Sequence, residues 1–358
     1  MINYFWVKRF SKFGIKEITR MVTIKDIAKE AQVSITTVSF ILNGKYDQAS
    51  EETVQRVLSI AKKYNYSPNP IAVGLVTKKT KTIGLVIPDI QNVFFGEVAK
   101  HVDNEVTRYG YNVILCNTNG NIEEDIKYID ILRRRGIDGL IISPSGGLNE
   151  TKLQEKMIDT LNKIKIPFVC LDRWSEGLTS SRVSIDHCQG GYLATKYLIE
   201  QGHRKIGCLT GPLNVHNARR RLNGYQKALS EFKIPYNQQI VFEGDYRFES
   251  GYSKGQKILN NDITAIFISN DLMCYGFYKA VRELNKKIPD DISVIGFDDL
   301  FFSNMLDVPL TTIRQPVETI AVTAAQILLE QIKGNQTYKN IKFQPELIIR
   351  KSVRKVGD

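Results

Sequence analysis

The chain has 358 residues, 42% of them hydrophobic and 24% charged, with a formal net charge of +11. That length exceeds one ordinary core, and that balance excludes a disordered or fibrous chain. No apolar run approaches the roughly 20 residues of a membrane span, and the five cysteines (Cys116, Cys170, Cys188, Cys208, Cys274) include no CxxC pair, so buried free thiols are expected.

The first stretch, "MINYFWVKRFSKFGIKEITRM", is basic and lacks both an uninterrupted apolar core and a small-residue cleavage site. It is a poor signal peptide, and a cytoplasmic protein is expected. The charge is uneven: the first 80 residues hold +7 and the remaining 278 hold +4. A small basic head on a nearly balanced body is the charge footprint of a nucleic-acid binder.

Residues 22–66 read as three short helices. "TIKDIAKEA" spaces Ile24, Ile27, Ala28 and Ala31 helically, with Thr23 as N-cap and Asp26 as its capping-box partner. After the turn "QVS", "SITTVSFILN" starts at an N-cap, Ser34, and stops at Asn43-Gly44. Its residues Val38, Ile41 and Leu42 face a core, whereas Ile35, Thr36, Ser39 and Phe40 lie on another side. The third helix follows Ser50, with Val54, Val57, Leu58 and Ala61 as its stripe. Two helices joined by a tight turn, plus a support, make a helix-turn-helix whose second helix enters the DNA major groove. Pro68 and Pro70 then end the third helix, and "IAVGLVTKKTKT" reads as a hinge.

From Thr82 short apolar strands alternate with amphipathic helices: "TIGLVIP", helix 94–109, "YNVILCN", "IEEDIKYIDILRRRG", "IDGLIIS", and onward to "DISVIGFD". This predicts parallel sheets covered on both faces, and the body's length predicts two of them in two lobes. Ligands meet such sheets at the carboxyl ends of strands. Those ends carry Asp89, Asp172-Arg173, Asn270-Asp271 and Asp298-Asp299, with Arg219, Arg220 and Arg221 opening a later helix. Carboxylates and arginine bind paired hydroxyls, and Phe94, Phe95, Trp174 and Tyr246 offer flat faces for a sugar ring. Each Asp alone is equally a helix N-cap. There is no GxGxxG after the first strand, no GxxxxGK[ST] and no GxSxG, and the four histidines have no metal-ligand spacing. Neither an enzyme nor a cofactor is expected.

Several segments, in order, resemble the lactose/galactose-repressor (LacI/GalR) family of bacterial transcription regulators. They are "VTIKDIAKEAQVSITTVSFILNG", "YSPNPIA", "IGLVIPDIQNVFFGEV", "DHCQGGYLATKYLIEQGHRKIGCLTGP", "SNDLMCYGF", "VIGFDD" and "PLTTIRQPVETIA". The resemblance runs from about Val22 to Val353. It implies a helix-turn-helix head at 21–67, a hinge at 68–80 and a core at 81–358 like periplasmic sugar-binding proteins. One lobe would take about 81–178 and 312–340, the other about 179–311 and 341–358. It implies a homodimer on palindromic operator DNA, a repressor of carbohydrate-utilisation genes, and a small sugar or sugar derivative as effector. A co-regulator protein is a further partner it allows. A solute-binding protein of a sugar transporter is the alternative, and it calls for an export signal and no helix-turn-helix.

Carried over residue by residue, the family's DNA contacts fall on Thr23, Ile24, Ser34, Ile35, Thr36, Thr37, Ser39, Phe40, Asn43, Tyr66 and Asn69, and its minor-groove wedge on Leu75. Its ligand positions fall on Phe95, Asp172, Arg173, Asn217, Arg221, Tyr246, Asp271 and Gln315. Two departures stand out. Many members carry an arginine that reads guanine where this chain has Phe40, and the hinge has Val73, Gly74 and Val76 where polar or basic residues are common. Family members usually begin near Met21, so residues 1–20 are a mis-assigned start or a basic extension.

Overall fold

A computed structural model describes residues 22–67, 79–146, 151–175, 177–335 and 337–356. The chain divides into two compact units, 1–80 and 81–358.

The first unit is a helix trio: α1 (Ile24–Ala31), α2 (Ile35–Leu42) and α3 (Glu51–Lys63). Its ends are fixed locally. The Thr23 N–H and hydroxyl donate to Asp26 at 2.8 and 2.7 Å. Ser34 Oγ accepts from Thr37 N at 3.0 Å. Gln32, in the left-handed region at φ 55°, turns the chain between the first two helices. Ile27, Ala28, Ala31, Val38, Ile41, Val54, Val57 and Ile60 form the core, with Leu42, Leu58 and Tyr66 packed at its margin.

The second unit holds two six-stranded sheets. Its elements run β1 (Thr82–Ile87), α4 (Val93–Thr107), β2 (Asn112–Asn117), α5 (Ile122–Arg134), β3 (Gly139–Ile142), α6 (Thr151–Lys163), β4 (Phe168–Leu171) and β5 (Ser181–Ile185). Then come α7 (His187–Glu200), β6 (Ile206–Thr210), α8 (His216–Glu231), β7 (Val241–Glu243), α9 (Phe248–Ile258), β8 (Ala265–Ile268), α10 (Asp271–Glu283) and β9 (Ser293–Asp298). β10 (Thr311–Arg314), α11 (Val317–Ile332), β11 (Asn340–Phe343) and β12 (Glu346–Ile348) close the unit. The first sheet is ordered β11-β5-β4-β3-β1-β2 and the second β12-β10-β9-β8-β6-β7. All pairs are parallel except β10 with β12.

The strand pairing moves the lobe boundaries. β5, expected in the second lobe, pairs with β4 through Val169↔Ser181 and belongs to the first sheet. β10, which the expected boundary at about 312 gave to the first lobe, pairs with β9 and belongs to the second. β11 returns to the first sheet against β5. The chain therefore crosses between lobes at Asp186, at Gln315-Pro316 and at Gln344-Pro345. The first crossing escaped the apolar pattern because β5 alternates buried and half-buried residues, one face of the strand being less covered than the other.

Candidate functional sites

In the head, α2 presents two faces. Val38 and Ile41 are buried, at 0% and 1% exposure, while Ile35 is 44% exposed. Thr36 is also exposed, and Thr37, Ser39 and Phe40 are half-buried. The hydroxyls of Ser34 and Thr37 bond each other at 2.8 Å as part of the cap. Asn43 Nδ2 donates to Ser39 O at 2.7 Å and closes the helix. Thr23 is engaged with Asp26, and Ile24 and Tyr66 pack at the core margin. Lys45 Nζ lies 5.5 Å from the Phe40 ring centroid, so Phe40 carries a cation beside it. Asn69 and Leu75 lie outside the described residues.

In the second unit the strand ends converge on one cleft. Its deep part is lined by Asn92, Phe94, Phe95, Asp172, Arg173, Asn217, Arg221, Tyr246, Asn270, Asp298 and Gln315. A mouth of about 540 Å³ opens from it, sharing Asn92, Phe95, Arg173 and Tyr246 and adding Asp89, Asp245, Arg247 and Phe248. Three of the deep residues sit at positive φ: Asp172 at 64°, Tyr246 at 69° and Asp298 at 118°. Such backbone strain is held only where the surroundings over-determine it, and it clusters at ligand sites.

Close helix packing builds one wall. A Cβ on Gly191 of α7 would strike the Arg221 carbonyl, and one on Gly224 of α8 would strike the Cys188 carbonyl. With glycine at both places the helices touch backbone to backbone, and Arg221 reaches across. Its Nε donates to His187 Nδ1 at 3.3 Å, one NH group donates to the Ser269 carbonyl, and its guanidinium carbon lies 3.6 Å from the Phe297 ring centroid. His187 Nδ1 therefore accepts, and His187 Nε2 donates to Asp172 Oδ1 at 3.0 Å. Asn217 Nδ2 donates to Asp172 Oδ2 at 2.8 Å. This chain of bonds joins the lobes, since Asp172 follows β4 in the first and Asn217 stands on α8 in the second. At the mouth, Arg247 of the second lobe reaches Asp89 of the first at 3.4 Å.

Burial drives the charges apart. It lowers the pKa of His187, helped by the Arg221 and His216 charges, so the ring is neutral. Burial also opposes ionisation of Asp172, but its hydrogen bond from His187 and the charges of Arg173 and Arg221 hold it below the usual carboxylate range. Asp298 has a weaker counter-charge, Arg221 at 3.9 Å, and burial pushes it up to about 8. Gln315 Nε2 donates to Asp298 Oδ1 at 2.7 Å. Arg173 Nε, Tyr246 OH and Gln315 Oε1 are buried without a hydrogen-bond partner, although Arg173 Nε lies 3.9 Å from Asp172 Oδ2.

One expected ligand residue is elsewhere. Asp271 accepts from Leu300 N at 2.9 Å and from the hydroxyls of Ser303 and Thr312 at 2.6 Å each. Its carboxylate ties α10 to the turn after β9 and to β10, and it lines neither part of the cleft. Its neighbour Asn270 lines the deep part while capping α10. Sequence reasoning marked Asn270 and Asp298 at strand ends but not among the carried-over ligand positions, and missed Asn92 and His187. Asp298 had the strand-end signal; His187 had none, because only the Gly191–Gly224 contact brings Arg221 to it. Among the described residues no His/Cys/Asp/Glu group is placed to hold a metal, and no helix is long and apolar enough to cross a membrane.

These two units define a class in which a helix-turn-helix head precedes a two-lobed α/β ligand-binding core. Residues 23–69 match the profile of bacterial regulatory proteins of the lacI family, and residues 195–353 match the periplasmic binding protein-like domain. The chain is 36% identical over 340 residues to the HTH-type transcriptional repressor PurR of Aliivibrio salmonicida, covering 94% of this chain and 100% of that one. It is 38% identical over 343 residues to PurR of Haemophilus influenzae, with the same coverage. A Lac repressor dimer bound to operator and the anti-inducer ONPF aligns with a TM-score of 0.83 at 28% identity, over 94% of this chain and 100% of that chain. A LacI-family regulator from Enterococcus faecium with bound ribose aligns with a TM-score of 0.69 at 32% identity, over 77% of this chain and 99% of that chain.

The chain belongs to the lacI family of bacterial regulatory proteins. It is a DNA-binding transcriptional repressor of that family and not an enzyme.

Proposed function

We propose that this repressor binds a palindromic operator as a homodimer in the cytoplasm and is controlled by a small sugar-like effector held in its cleft. The observation that carries the reading is the set of buried polar atoms without hydrogen bonds on Arg173, Tyr246 and Gln315, lining a pocket with Asp172, Asp298 and Asn217. Hydroxyl groups, each both donor and acceptor, satisfy such a mixed set, and the Phe95 and Tyr246 rings suit an apolar sugar face. The ribose-bound relative from Enterococcus faecium supports the same class.

Head chemistry supports base reading by Ile35, Thr36, Ser39 and Phe40, with the hydroxyls of Ser34 and Thr37 and the amide of Asn43 near phosphates. Thr23, Ile24, Tyr66, Asn69 and Leu75 complete the proposed DNA set. The second copy has support from an exposed apolar turn, where Phe301, Phe302 and Met305 are 70%, 57% and 64% exposed. A surface of that kind on a soluble chain marks an interface.

Effector control follows from the bonds between lobes. A ligand gripping Asp172 and Arg173 on one side and Asn217, Arg221 and Tyr246 on the other replaces lobe-to-lobe contacts with its own. It thereby favours one lobe arrangement over another, which is the differential binding that coupling requires. A planar nitrogen heterocycle is the second reading, favoured by the hydrogen-bonded Asp298–Gln315 edge beside two flat rings. Calorimetry with D-ribose, cellobiose and adenine, each followed by operator titration, separates the two. A ligand that binds the core yet leaves operator affinity unchanged removes effector control.

A further inference from the structure

A second cavity, of about 340 Å³, shares Asp172 and Asn217 with the effector pocket and is otherwise built from different residues. It lies where the chain makes its first crossing between lobes. The first lobe supplies Trp174, Arg182 of β5 and Lys342 of β11; the second supplies His216 and Arg220 of α8. A further cavity of about 390 Å³ continues it past Trp174 and Arg182, lined by Gly177, Leu178, Ser180, Tyr338, Lys339 and Asn340.

The first cavity carries three cations, Arg182, Arg220 and Lys342, against two carboxylates, Asp172 and Asp186. Asp186 pairs with Lys342 at 2.9 Å and feels the Arg220 charge, and Asp172 accepts a hydrogen bond from neutral His187 at 3.0 Å. Arg182 and Arg220 enter no ion pair among the described residues, and Arg182 instead stacks 4.2 Å from the Trp174 ring centroid. Trp174 and His216 stand 6.0 Å apart, centroid to centroid, one from each lobe. Two long helices, α7 and α8, also begin here, at His187 and His216; the Asp186 carboxylate caps the first, whereas the second has no side-chain cap, so its N-terminal amides add positive potential.

We infer that this groove is a second ligand site, for an organic phosphate monoester, distinct from the effector cleft. The phosphate is held by the guanidinium groups of Arg182 and Arg220, and the organic body lies in the adjoining cavity against Leu178 and Tyr338. Two arginines suit a phosphate because each offers a fork of N–H donors. The ligand bridges β5 of one lobe and α8 of the other, so it senses the same lobe arrangement as the effector. Asp172 and Asn217 form the layer between the two sites, so an occupant of one shifts side chains that the other uses.

The test uses the full chain and p-nitrophenyl phosphate, with p-nitrophenol and inorganic phosphate as the two halves of the probe, at constant ionic strength. Calorimetry should give saturable binding of the ester that exceeds either half. The double variant Arg182→Gln/Arg220→Gln should weaken it about tenfold or more, while Tyr246→Ala, in the effector pocket, should leave it within about twofold. Operator affinity should shift with the ester in the wild type and not in the double variant. Absence of saturable binding, or undiminished binding in a double variant with an unchanged unfolding midpoint, overturns the site. Loss in Tyr246→Ala with retention in the double variant places the ester in the cleft and also overturns it. Sugar titration of the same double variant reports separately on the effector proposal.

Discussion

The head and the cleft are built on opposite plans. On α2 the outward residues are exposed or half-buried, and the bonds that fix them are local: Ser34 with Thr37, Asn43 with Ser39. In the cleft the functional side chains are buried, and each is held by residues far away in sequence, as Asp172 is by Asn217, 45 positions on. A surface that meets a long, regular partner needs only a rigid rod with the right side chains outward. A pocket for a small molecule must supply its rigidity from all sides, at the expense of buried charge and strained backbone.

That contrast predicts where single changes hurt most. Arg221→Gln removes buried bonds to Ser269 and His187, the stack on Phe297 and the counter-charge of Asp298 together. The core unit should lose about 3–5 kcal/mol in chemical denaturation and the effector response should vanish, with operator binding by the head retained. A loss under about 1 kcal/mol would mean that the network is not what holds the pocket.

Ile41→Ala breaks the other plan. Ile41 is 1% exposed in a core of few residues, and truncation of a buried isoleucine costs about 2–5 kcal/mol. A unit this small has little margin. Operator binding should disappear while calorimetric ligand binding by the core persists. Loss of both would show that the two units do not fold independently.

A third change sharpens the comparison through pH. Asp125 on α5 is fully buried and accepts from the Ser145 N–H at 2.5 Å and from its hydroxyl at 3.0 Å. Burial outweighs these bonds and pushes it up to about 6. A carboxyl raised on folding binds its proton more tightly folded than unfolded. Its contribution is present in acid and is lost as pH rises from about 4 through about 6. Asparagine can replace the carboxyl without titrating. Asp125→Asn should therefore gain on the wild type by about 3 kcal/mol between pH 4 and pH 8, read from urea midpoints. A pH-independent difference would mean that Asp125 ionises freely in the fold.

Local order was legible in the sequence, and long-range order was not. The three head helices and their caps were readable because spacing and N-cap chemistry act within four residues. Most strands up to β9 were readable as apolar runs, and β5 and β7 only as short breaks between neighbouring elements. β11 and β12 were not: "NIKF" and "ELI" are short, polar-flanked strands set by pairing alone. In the cleft, Asp172, Asn217 and Tyr246 could be named from strand ends and resemblance. Asp271 and Asp298 both follow strands, and nothing local says that the first serves a turn while the second lines the pocket. The Ser303 and Thr312 hydroxyls decide that, and both come from beyond residue 300.

Phe40 lies at the border of the two plans, and its replacement carries the smallest expected effect. It is half-buried rather than exposed, and Lys45 lies over its ring. A ring in that position offers a thymine methyl an apolar contact but donates no hydrogen bond to guanine. Phe40→Arg trades the apolar contact for a bidentate donor, and Lys45 then faces a like charge. Selection of operators from a randomised pool should show guanine enriched at the facing step for the variant. The preference should change by about 1–3 kcal/mol, with the helix's other positions unchanged because Ser34 and Asn43 still fix its ends. An unaltered preference would assign Phe40 to packing within the head. α2 would then read DNA through Ile35, Thr36 and Ser39 alone.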